Sequence, residues 1–89
     1  MIDAKQAIQV AKEKAAEMLG QRLSYLEEIE RESYKGHDAW NITLSFGRDL
    51  NQLPPFARLA ADPLQYKRFL VDVQTGEHLA MKLREVASR

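Results

Sequence analysis

Eighty-nine residues, thirteen Lys plus Arg against thirteen Asp plus Glu, and no cysteine set the limits on this chain. A chain of this size holds one domain around a single core, and without thiols it has neither disulfides nor thiolate metal sites. Zero net charge removes the footprint of a general nucleic-acid or anionic-membrane binder, so neither partner is expected.

The opening segment, "MIDAKQAIQVAKEKAAEML", is charged throughout and lacks the continuous apolar run of a secretory signal or a membrane span; a cytoplasmic location is expected. Ala4, Ile8, Ala11, Ala15 and Met18 recur at spacings of four and three, with Ala7 and Leu19 widening the stripe. Asp3 with Gln6 makes a capping box, and Gly20 suits a left-handed helix end. The pattern predicts a helix over about 4–19, and its alanines allow close approach to a sheet.

Residues 23–34, "LSYLEEIERESY", fit two patterns. Leu23, Leu26 and Ile29 recur every third residue, and Ser24 with Glu27 mimics a capping box, as a helix would have it. A strand would place Tyr25, Glu27, Ile29, Arg31 and Ser33 on one side and Glu28, Glu30 and Glu32 on the other. In "AWNITLSF", Trp40, Ile42, Leu44 and Phe46 alternate with Ala39, Asn41, Thr43 and Ser45, the pattern of a half-buried strand over about 38–46. That strand needs a partner, and "YKGHD" is turn chemistry, so 25–33 is read as the first arm of a hairpin.

The stretch 47–65 carries Pro54, Pro55 and Pro63 and no strand pattern. "PFARLAAD" predicts a short helix after Pro55, with Phe56 and Leu59 or Ala60 touching the core and Pro63 ending it. Arg48 and Arg58 are the candidate ligand-binding residues here, as holders of an anionic ligand beneath a lid.

The last hairpin spans strands over about 66–73 and 78–85. Phe69, Val71 and Val73 alternate with Leu70 and Asp72; Leu79, Met81 and Leu83 alternate with His78, Ala80, Lys82 and Arg84. "QTGE" suits a turn followed by Gly76 in the left-handed region. The fold class is therefore α+β: an N-terminal helix on one face of an antiparallel sheet of about four strands. The inward set (Trp40, Ile42, Leu44, Phe46, Phe69, Val71, Val73, Leu79, Met81, Leu83) contains no ionisable group. The opposite face, with Asn41, Thr43, Ser45, Arg68, Asp72, Lys82 and Arg84, is expected to be polar and open to solvent.

Phe69, Val71, Asp72, Thr75, Gly76, Glu77 and Leu79 spell "F-x-V-D-x-x-T-G-E-x-L". With the Ala-faced helix and preceding hairpin, the chain resembles the PepSY family and the wider cystatin-like α+β domains, including small free-standing bacterial proteins of this fold. The resemblance implies a non-catalytic module that binds or inhibits a partner.

No residue pattern supplies a catalytic, cofactor or metal constellation. His37 and His78 lack companions at ligand spacing and are expected as exposed turn residues. Glu27, Glu28, Glu30 and Glu32 form the densest charge cluster; a solvated face paired with neighbouring Lys and Arg is the plain expectation, a docking edge for a basic partner or a hard-cation site the functional one. Trp40 is expected in the core or at its rim. The expected function is non-enzymatic: binding of a protein partner, or self-association, through a sheet edge, as for an inhibitor or immunity-type protein. The alternative is a small-ligand or enzymatic domain with 47–65 as a lid.

Overall fold

A computed structural model describes residues 1–21, 23–47, 54–60 and 64–83, with only the backbone described for Arg58, Ala60 and Leu83. The elements in chain order are α1 (Ala4–Leu19), β1 (Tyr25–Tyr34), β2 (His37–Gly47), α2 (Pro55–Ala60), β3 (Leu64–Asp72) and β4 (His78–Leu83). The strands form one antiparallel sheet in the order β1-β2-β3-β4. With α1 packed on it, the fold is α+β.

Helix α1 is delimited by its caps. Asp3 accepts from the Gln6 amide at 2.8 Å while Gln6 accepts from the Asp3 amide at 3.0 Å. At the other end Gly20 takes φ +69°, and the Gln21 amide reaches back to the Ala15 carbonyl at 3.2 Å. The buried seam is narrower than the predicted stripe: Ala7, Ala11 and Ala15 are fully buried, Ile8, Val10 and Leu19 flank them, and Met18 is exposed. Alanines four residues apart let the helix backbone approach the sheet, where Ile42, Leu44, Phe46, Phe69 and Val71 complete the core.

The first hairpin settles the ambiguity of 23–34. Leu26 lies opposite Leu44 and Ile29 opposite Ile42, so two residues separate the pair on β1 and one separates it on β2; Glu27 is the extra residue of a β-bulge. The every-third-residue spacing that mimics a helix is thus a strand with a bulge in it. Lys35 and Gly36, at φ +49° and +85°, form the tight turn.

A second bulge reverses an expectation in β4. Val71 faces His78 and Leu70 faces Ala80, which leaves Leu79 as the extra residue. His78, expected outside in a turn, therefore lies half-buried on the inner face, its ring 5.8 Å from that of Phe69. The inward set does include an ionisable group.

Two further expectations are corrected. Phe56 and Leu59 of α2 are 77% and 91% exposed and do not touch the core, because the sheet's inner face at that end is already filled by Leu44 and Phe46 beneath α1. Asn41, Thr43, Ser45 and Asp72 on the opposite face are buried rather than open, together with Ala39 and Leu70. Their short side chains sit low between longer neighbours. The Tyr34 ring, between Lys35 at 5.4 Å and Lys82 of β4 at 4.7 Å, joins the two outermost strands across this face. Such a contact requires a strongly twisted sheet.

Candidate functional site

Helix α1 lies across β2, β3 and β4, and β1 extends beyond its cover. Eight of the ten β1 residues are exposed; Ile29 and Tyr34 are half-buried. Where the helix would otherwise shield the inner face, Arg31 stacks 5.0 Å from the Trp40 ring and pairs with Asp38. Trp40, at the core rim as expected, donates its indole N–H to the Ile2 carbonyl at 3.3 Å. On its far side β1 pairs with no strand among the described residues, and it carries neither Lys nor Pro, two common protections of a strand edge.

The outer face of this strand is acidic. Past the bulge, Glu28, Glu30 and Glu32 form a row, and the residues opposite on β2 are Thr43, Asn41 and Ala39. None of these three β2 residues is cationic. Two glutamates are instead held by neutral donors: Ser45 Oγ donates to Glu27 at 2.7 Å, and Asn41 Nδ2 donates to Glu32 at 2.8 Å. Asn41 Oδ1 is buried without a donor among the described residues. At the start of the strand Leu23 and Tyr25 are 74% and 61% exposed, and Leu26 is exposed beside them.

The opposite end of the sheet is closed by its own chemistry. Asp72 Oδ1 accepts from the Gln74 and Thr75 amides at 2.7 and 3.1 Å, Thr75 Oγ1 accepts from the Glu77 amide at 3.1 Å, and Gly76 takes φ +78°. The Asp72 carboxyl is held below its ordinary value by the Thr75 amide first, against partial desolvation, with the Gln74 amide and His37 adding to it. His37 is exposed as expected, but it opens β2 and its Nδ1 sits 2.8 Å from Asp72 Oδ2. The "D-x-x-T-G" residues are thus engaged in building a turn.

His78 Nε2 is buried without a partner among the described residues. Burial lowers the pKa of this imidazole; a hydrogen bond with the Ala80 backbone opposes the shift, Lys14 of α1 adds to it, and Glu17 opposes it. Among the described residues no three His, Cys, Asp or Glu side chains group to hold a metal ion, and no helix is long and apolar enough to cross a membrane. Arg48 lies outside the described residues, and Arg58 falls in α2 with its side chain outside them, so neither is placed in a site. No protein-family model, curated protein or solved structure matches the chain.

The acidic cluster was legible in the sequence. Its position on an edge strand was not, since strand order does not follow from alternation.

Proposed function

We propose that this chain is a non-enzymatic module that binds another protein by adding a strand of that partner to its sheet, as an inhibitor or immunity-type protein does. The observation that carries the reading is the outer edge of β1, a ten-residue strand exposed at all but two positions. An edge strand presents backbone N–H and C=O groups that an incoming strand can satisfy, giving affinity without a preformed pocket. The "F-x-V-D-x-x-T-G-E-x-L" residues support kinship with PepSY-like and cystatin-like domains of bacteria, and a cytoplasmic setting belongs to the same reading.

The test is capture of partners from lysate by the tagged chain at moderate salt, followed by hydrogen exchange on the purified complex. Expected is a stoichiometric partner whose binding slows amide exchange within 25–34. A chain that captures nothing and stays monomeric, or a partner that protects a different element, would remove this reading.

A further inference from the structure

Resting on the reading of β1 as a binding edge, we propose that the incoming strand is anchored by large apolar residues at its C-terminal end, seated on the apolar start of β1, and that it belongs to a different protein rather than to a second copy of this chain. Four exposed apolar side chains fall between positions 18 and 26, where α1 ends and β1 begins: Met18 at 51%, Leu23 at 74%, Tyr25 at 61% and Leu26 at 42%. Met18 continues the seam of Ala7, Ala11 and Ala15 past its buried part. Tyr25 lies opposite Ser45 and Leu26 opposite Leu44, so the two take opposite faces of the sheet. A strand laid along β1 therefore meets apolar surface on both faces at this end, whereas from Glu30 to Ser33 the exposed residues it meets are polar.

The size of the patch and the sequence of β1 choose the occupant. At roughly 200 Å² for a large side chain, the exposed fractions amount to about 450 Å², the scale of a functional patch on a monomer but short of the roughly 800 Å² that each partner of a stable dimer buries. Self-pairing does not cover it either. An antiparallel copy of β1 in full overlap brings its far end, Glu32 to Lys35, against Tyr25 and Leu26; that end is polar apart from the Tyr34 ring, which Lys35 and Lys82 already occupy. Centred on Glu30, the same pairing sets that charge against its copy. A foreign strand has neither defect. Antiparallel addition continues the pattern of the whole sheet and places the C-terminal end of the incoming segment over the start of β1. Its backbone supplies hydrogen bonds along the edge, and its apolar end supplies the selection between segments.

The probe is a labelled threonine–glutamine peptide of β1's length ending in Leu-Trp, titrated into the full chain by fluorescence anisotropy. Its counterparts carry Leu-Trp at the N-terminal end or nowhere, and two further versions of the first are N-methylated at alternate backbone nitrogens on one edge or the other. Expected is binding of the C-terminally anchored peptide about tenfold or more tighter than of the other two, loss of binding on N-methylation of one edge only, and a fall of about tenfold in the chain variant Leu23→Ser/Leu26→Ser. Circular dichroism checks that the variant is folded, and Leu23→Ser alone serves in its place if it is not.

No binding of the anchored peptide, equal binding of all three anchor arrangements, or indifference to the double substitution would overturn the anchor. Binding of both N-methylated versions as tight as that of the parent would overturn strand addition. A partner captured by the full chain that protects 25–34 but is indifferent to Leu23→Ser/Leu26→Ser ends this assignment alone, whereas capture of nothing by a monomeric chain ends the binding reading beneath it.

Discussion

The two edges of the sheet are built on opposite plans. At one, the first four residues of β4 are half-buried, a bulge at Leu79 turns His78 beneath the helix, and Lys82 crosses to Tyr34. At the other, β1 is long and largely exposed, has its bulge near its start at Glu27, and presents a regular ladder from Glu28 onward. Short length, bulges and lysine are the usual means of protecting an edge from unwanted pairing. β4 uses the last two. β1 has a bulge near its start but neither a lysine nor a proline.

The largest effect is expected where the protected side is anchored. Phe69 is fully buried between Ile42 and Met81 in register and touches the His78 ring. Phe69→Ala should cost about 3–5 kcal/mol in urea unfolding, a large share of the stability of a domain this small. Next comes the turn that holds β4. Gly76→Ala places a Cβ 3.3 Å from Ile2 Cγ2 at φ +78° and should cost about 1–2 kcal/mol by the same measurement.

A pH titration sharpens the contrast without substitution at β1. Because burial depresses the His78 pKa, the unfolded chain takes up that proton first. Its contribution is complete above the unfolded value of 6.5 and is lost as pH falls from there toward the folded value. Urea midpoints at a series of pH values should show this decline, and His78→Leu should flatten it. Asp72, depressed from 3.8, adds a second loss further into acid, as pH falls through its folded value.

The smallest effect on stability and the clearest on association belong to β1. Glu30→Thr should shift stability by no more than about 0.5 kcal/mol, yet sedimentation should show concentration-dependent dimers once this charge no longer stands against its copy. Lys82→Thr on β4 should leave the chain's oligomeric state unchanged. Equal behaviour of the two variants would dissolve the distinction between the edges.

Much of this architecture is local and therefore readable along the chain. Asp3, Gln6 and Gly20 mark a helix because capping involves residues a few positions apart, and the alternation from Ala39 to Phe46 marks a strand because side chains on a pleat change faces at each step. Gly36 and Gly76 fall at turns for the same reason, as positive φ belongs to the residue itself. The acidic run of β1 was equally visible. The bulges at Glu27 and Leu79 were not, because each exists only as a mismatch between two strands, and each reverses the faces of the residues beyond it. So the inward turn of His78, the shared face of Leu26 and Ile29, and the burial of Asn41 and Thr43 were decided by pairing. Composition and local order determined which elements form; the tertiary structure alone decided that α1 covers β2, β3 and β4 and that the acidic strand stands at the edge, since both depend on contacts between residues far apart in the chain.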